Sequence, residues 1–232
     1  MSIRADAAGG QLRVGGVSFS FQRTRPDTRP TPSRGAIAVV RTARFPRARA
    51  LGWPRTAFLV QVPDGEALWI GLGASTAGPT AIRVRFDGLD GITGLPWEAS
   101  LSKAPQNYVV WPHQFWIEGA YRAGRLHERF ALGAEPWRAL ELSLFPPRPG
   151  RTRAASRPRT RPLVLHQAGG SGGTVVEPGA LVSDRSGIRW VDVPYATVQV
   201  YVASPAVYAD VTGLPPLPEV AEGDTYRGWR LP

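Results

Sequence analysis

The chain has no cysteine, which excludes disulfide frameworks, thiolate metal sites and cysteine nucleophiles at once. Histidine is scarce: His113, His127 and His166 stand far apart, so no transition-metal ligand set and no obvious partner for a serine nucleophile is present. G-x-S-x-G is missing, and the glycine-flanked Ser171 lies in AGGSGG (168–173), which has neither that spacing nor the Lys-Ser/Thr of a phosphate loop. No run approaches the roughly 18–20 apolar residues that cross a bilayer, so membrane insertion is not expected. Met1–Gly16 has no apolar stretch after a basic start, and a cytoplasmic location is the expectation. No cofactor and no metal are implied.

Lysine is nearly absent as well. The net charge of +10 comes from 27 arginines and a single lysine, Lys103. It is unevenly spread. Residues 1–50 carry a net +8 and residues 146–165 a net +6, while 51–145 and 166–232 are slightly acidic. The positive charge therefore sits in proline-rich, hydrophobe-poor stretches. Two readings stand open: solvated loops coloured by a GC-rich genome, or a polyanion-binding surface.

Glycine (26) and proline (23) are plentiful, which favours short strands joined by turns over long helices. Leu12 to Gln22 alternates apolar and polar residues about Gly15-Gly16, a hairpin signal. RTRPDTRPTPSRG (23–35) reads as a flexible connection. Phe58, Val60 and Val62 precede Asp64-Gly65 and then Leu68, Ile70 and Leu72, so 56–73 is predicted to be the best hairpin. Ile82, Val84 and Phe86 alternate with Arg83 and Arg85, which predicts a strand with one wet face. Further strands are expected over 108–111, 115–117, 126–132, 140–145 and 198–202. One helix is signalled near 204–212, capped by Ser204, opened by Pro205 and closed by Gly213.

The expected fold is mainly β, an antiparallel β-sandwich or two duplicated sandwich-like lobes with one short helix. The lobes would span 36–145 and 163–232, joined by an Arg/Pro-rich loop at 146–162 and preceded by the hairpin and connection at 1–35. The duplication rests on TAIRVRFDGLDGITGLP (80–96) and ATVQVYVASPAVYADVTGLP (196–215), each an alternating strand followed by Asp, a β-branched residue and Thr-Gly-Leu-Pro.

The densest chemistry lies in APQNYVVWPHQFWIEG (104–119). Trp111, His113, Gln114, Trp116 and Glu118 form the candidate binding set, with rings for stacking and amides and a carboxylate for orientation. A small ligand, a glycan or a protein partner would suit it; alternatively the rings fill the core. Glu118 could also serve a hydrolase if a second acid such as Glu128 flanked the same cleft. Nucleic acid or another polyanion is the alternative partner, through arginines of 23–49 and through Arg148, Arg151, Arg153, Arg157, Arg159 and Arg161. Asp87 and Asp90 share a glycine-bearing turn that falls short of a calcium loop. His127 and Glu128, adjacent on a strand, should point to opposite faces.

PQNYVVWPHQFWIEG (105–119) fits the pattern P-Q-x-Y-x-V-x-P-x-Q-x-W-[IL]-x-G, and VQVYVASPAVYADVTGLPPLP (198–218) fits a strand followed by a T-G-x-x-P turn. With the Ala-Gly-Gly at 168–170 between them, the chain resembles a family of uncharacterised bacterial and fungal proteins from about residue 66 onward. The resemblance implies one fold unit spanning both halves, and it carries no activity, cofactor or catalytic residue.

Overall fold

A computed structural model describes residues 4–6, 10–26, 35–74, 78–149 and 180–218. Its first strands are β1 (Arg4–Asp6), β2 (Gln11–Val14), β3 (Val17–Thr24), β4 (Ala36–Ile37), β5 (Val40–Arg41), β6 (Phe58–Gln61), β7 (Ala67–Ala74) and β8 (Thr80–Phe86). There follow β9 (Leu89–Asp90), β10 (Val109–Trp111), β11 (Trp116–Ile117), β12 (Gly119–Arg122), β13 (Arg125–Ala131), β14 (Trp137–Phe145) and β15 (Ala196–Ala203). Two short α-helices, α1 (Pro46–Ala50) and α2 (Pro205–Thr212), and a 3-10 turn at Thr42–Arg44 complete the described elements.

The strands form two sheets. One runs β1-β2-β3-β7-β13-β12, with β4 on β3 and β11 on β7; the other runs β10-β8-β14-β15-β6-β5, with β9 on β8. Pairing is antiparallel except between β15 and β6. Alternation supplies the inner faces: Phe19, Phe21, Leu68 and Ile70 from the first sheet share a core with Ile82, Val84, Leu142 and Val200 from the second. The expected mainly-β sandwich is what the chain forms. Among the described residues no helix is long and apolar enough to cross a membrane.

Three expectations change. The stretch 56–73 is not a hairpin, because β6 pairs with β5 and β15 while β7 pairs with β3, β11 and β13. Its Asp64-Gly65 turn instead carries the chain from one sheet to the other, so both apolar faces meet across the core. Alternation fixes which face is buried; it does not choose the neighbouring strand.

The polar face of β8 is wet only in part, since Arg85 is half-buried and Arg83 is covered completely. Arg83 is 0% exposed: Nη2 donates to Asp90 Oδ2 at 2.8 Å, Nη1 donates to the carbonyls of Glu98, Ala99 and Ser100, and Trp97 stacks 3.8 Å away. The Asp90 carboxylate also accepts the backbone N–H groups of Ile92 and Thr93, so one buried ion pair shapes the whole 90–100 loop. Finally, the described residues hold two α-helices, not one, with a single 3-10 turn at Thr42–Arg44 before the first. α1, opened by Pro46, lies in the arginine-rich stretch and packs Ala48 with Trp53, Tyr201 and Tyr208 of a second small core.

α2 forms as its sequence signals require. Ser204 Oγ accepts from the Val207 N–H, and Gly213 closes the helix at φ 68°. The matched Thr-Gly-Leu-Pro strings share this local geometry. Gly94 and Gly213 are both left-handed, each donating its N–H to the carbonyl four residues back, and Thr93 and Thr212 each accept the N–H of the following leucine pair, Leu95 and Leu214. Their strands, β8 and β15, flank β14 on either side in one sheet, so residues of 36–145 and 163–232 interleave there. The 180–193 segment, which forms no named strand, starts at the β12–β13 turn, where Ala180 bridges Arg125, and lays Ile188 and Trp190 against Ala81, Val110 and Phe145 on the outer face of this sheet.

Candidate ligand cleft

The five residues singled out in 104–119 do not gather around one opening. Trp111 is buried and packs edge-on against Phe115, with centroids 5.6 Å apart. His113 is half-buried in the turn after β10, where its backbone N–H donates to Val110 O. Trp116 is half-buried opposite Gly71 on β7. Glu118 is 1% exposed and lies 3.5 Å from Arg129 Nη1 in a sealed pair, while Glu128 is exposed. The neighbouring Tyr121, whose Oη accepts the Glu118 N–H, has its phenol pushed up by burial. His127 and Glu128 are both exposed on β13. Asp87 pairs with Arg138 and Asp90 with Arg83, and among the described residues no group of three metal-ligating side chains occurs.

Gln114 has a different role. Fully buried, it donates from Nε2 to Trp116 O (3.0 Å) and Ala180 O (3.2 Å) and accepts the Val182 N–H at Oε1 (2.8 Å). Gln106, eight residues earlier, repeats this pattern. Its Nε2 donates to Tyr108 O (2.8 Å) and Val182 O (3.1 Å), and its Oε1 accepts the Asp184 N–H (2.8 Å). The two amides thus engage alternate residues of 180–184, as a neighbouring strand would, and hold this segment without a β-ladder.

That clasp delivers Asp184 to its place. The carboxylate is 1% exposed and accepts from the Ser186 N–H and Oγ at Oδ1, and from Tyr108 Oη (2.6 Å) and Trp190 Nε1 (3.2 Å) at Oδ2. Lys103 Nζ lies 3.6 Å from Oδ2. Burial alone would raise this carboxyl; the donors from Ser186, Tyr108 and Trp190 outweigh it and hold the pKa down to about 2. Tyr108 is pushed the other way, by burial first and then by its bond to the charged Asp184. One carboxylate therefore ties the aromatic segment to the 184–190 segment.

Above this hub a cleft of about 440 Å³ opens, lined by Leu101, Lys103, Tyr108, Arg148, residues 187–190 and Asp192. Tyr108 and Trp190 form its floor, their rings edge-on with centroids 6.3 Å apart. On one side, Asn107 stitches the 100–107 loop by accepting the Ser102 N–H and donating to Ser100 O. On the other, Arg148 donates from Nε to Trp190 O and from Nη2 to Asp192, while its backbone N–H donates to Arg189 O. Of the six arginines named for polyanion binding, Arg148 is thus engaged at this cleft. Arg151, Arg153, Arg157, Arg159 and Arg161 lie outside the described residues, as do the glycine-rich loop at 168–173 and the Ala-Gly-Gly at 168–170.

Sequence reasoning reached the edge of this cleft through Tyr108 and missed most of it. The signal it held was Lys103, the one lysine in a chain that otherwise uses arginine. Asp184, Arg189, Trp190 and Asp192 carried no pattern, since their segment is positioned by side-chain amides and not by alternation. Comparison with protein-family models, with curated proteins and with solved structures finds no match in any of the three.

Proposed function

We propose that the chain is a non-catalytic binding protein that holds a small polar ligand in the cleft between the 101–108 loop and the 187–192 segment. The observation that carries this reading is the Asp184 hub, a carboxylate with four donors fixing both walls of a cleft whose volume lies in the range of small-molecule sites. Such bracing keeps a cleft open and pre-shaped, which lowers the ordering cost of binding.

Binding is favoured over turnover because the titratable groups at the floor are locked. An Asp184 held near 2 is a poor proton acceptor at neutral pH, and a Tyr108 phenol pushed up by burial and by that carboxylate does not ionise there. The hydrolase reading through Glu118 gains no support from a carboxylate sealed against Arg129 and not among the residues that line the cleft.

The test is a thermal-unfolding screen against sugars, nucleotides and small organic acids, followed by amide NMR on each hit. A ligand of the native state raises the midpoint. The reading expects the Trp190 indole N–H and the amides of 186–190 to move. A hit whose perturbations stay within 113–118 would replace this cleft by the aromatic segment, and hits restricted to nucleic acid would return the function to the arginine stretches.

A further inference from the structure

The charges around the cleft specify which ligands it takes, and this inference rests on the cleft reading above. Lys103, Arg148 and Arg189 line it together with Asp192. Arg148 and Asp192 are paired with each other, so they cancel. Lys103 Nζ lies 3.6 Å from Asp184 Oδ2, so these two charges offset each other as well. Arg189 is exposed and makes no ion pair among the described residues. Among the described residues one guanidinium therefore remains unmatched in the lining, beside the apolar side chains of Leu101, Ile188 and Trp190. The backbone at Gly187 is left-handed (φ 69°) and open, since a Cβ there would meet nothing.

We propose that the cleft binds a small oxyanion, a carboxylate or phosphate group carried on an apolar body, with Arg189 forking onto the anion and the Lys103 ammonium, itself paired with Asp184, donating to it from the cleft mouth. A guanidinium presents two parallel N–H donors that match a carboxylate or phosphate edge, and a lysine adds a point charge without competing for that geometry. Neutral sugars would leave Arg189 uncompensated. The apolar body would rest on the accessible edges of Ile188 and Trp190, each of which is below a tenth exposed and packed in the small core with Tyr108 and Phe145.

The test uses the full-length chain and four probes: inorganic phosphate, phenyl phosphate, benzoate and the neutral benzyl alcohol. Each is titrated by amide NMR at low salt and again at about 0.15 M, where surface charges are screened beyond about 8 Å. Arg189→Gln removes the fork, Lys103→Gln the point charge, and Arg49→Gln, an exposed arginine on α1, controls for attraction by the net charge alone. Phenyl phosphate or benzoate should move the Trp190 indole N–H and the 187–189 amides, persist at the higher salt, and weaken roughly ten-fold or more in Arg189→Gln but not in Arg49→Gln. Phosphate and benzoate together distinguish the two oxyanion types. Equal weakening in Arg189→Gln and Arg49→Gln would mean diffuse attraction and overturn the proposal. Binding of benzyl alcohol that matches the anions, unaffected by Arg189→Gln, would overturn the oxyanion inference and keep the cleft; no perturbation at the cleft by any probe would remove both.

Discussion

If Gln114 holds the 180–184 segment in the way its bonds indicate, replacing it should loosen one wall of the cleft and lower stability by a predictable amount. Gln114→Ala deletes three hydrogen bonds, two donated and one accepted, from a side chain that is 1% exposed. At about 1 kcal/mol net each, with some compensation by water entering behind the truncated side chain, the loss should be about 2–4 kcal/mol. With a urea slope near 2–3 kcal/mol/M for a chain of this size, the midpoint should fall by about 1 M. Gln114→Glu sharpens the prediction. It keeps the acceptor for the Val182 N–H but aims a carboxylate oxygen at the carbonyls of Trp116 and Ala180. The folded state then favours the protonated acid, so the folded pKa rises above the unfolded value of about 4.3. Stability relative to the parent is retained below that unfolded value and lost as pH rises through the folded pKa. Urea unfolding followed by tryptophan fluorescence between pH 4 and 8 (about 4.3 being the unfolded reference) measures both variants. A Gln114→Ala midpoint within error of the parent, or a Gln114→Glu variant whose deficit does not grow with pH, would refute the clasp.

The remaining predictions concern other parts of the same frame. Arg83→Met strands a buried Asp90 and should cost about 3–5 kcal/mol, whereas the double change Arg83→Met with Asp90→Asn should recover part of it in a double-mutant cycle by urea unfolding. Gly119→Ala should be among the most damaging single changes, about 3 kcal/mol or more, because φ is 147° and the new Cβ would sit 1.9 Å from Glu128 O. Loss of the folded near-ultraviolet signal at ordinary temperature would be the readout, and a parent-like midpoint would contradict it. Asp184 has a depressed folded pKa, so its stabilisation is present above about 4 and lost as pH falls toward 2. Asp184→Asn should flatten that limb of the acid-unfolding profile; a profile of unchanged steepness would count against the hub.

How much of this was legible in advance depends on what holds each element. Where a strand is built by period-two alternation, as in β3, β8 and β15, the sequence names its inner face, and where caps and glycines act locally, as in Ser204–Gly213, it names the helix. Partnership between strands was not legible, because a turn such as Asp64-Gly65 serves a hairpin and a sheet-to-sheet crossing equally well. The dryness of Arg83 was not legible either: alternation places it on the outer face, and only the fold lays Trp97 over it. The cleft was the least readable part. Its second wall, 181–192, has no periodicity, being held by Gln106, Gln114 and, at Asp184, Tyr108 from points distant in sequence. Those glutamines stood inside the segment singled out for its chemistry, and their amides turn inward to backbone instead of outward to a ligand.

Lys103 offers the most direct check on the central claim that this cleft is where the molecule binds its ligand. As the one lysine in the sequence, it can be dimethylated with ¹³C-formaldehyde to place a side-chain reporter at the cleft mouth, assigned by its loss in Lys103→Arg. The account predicts that any small molecule raising the unfolding midpoint shifts the Lys103 methyl resonance in proportion to occupancy. A ligand that stabilises the protein at saturation and leaves that resonance unmoved would contradict it.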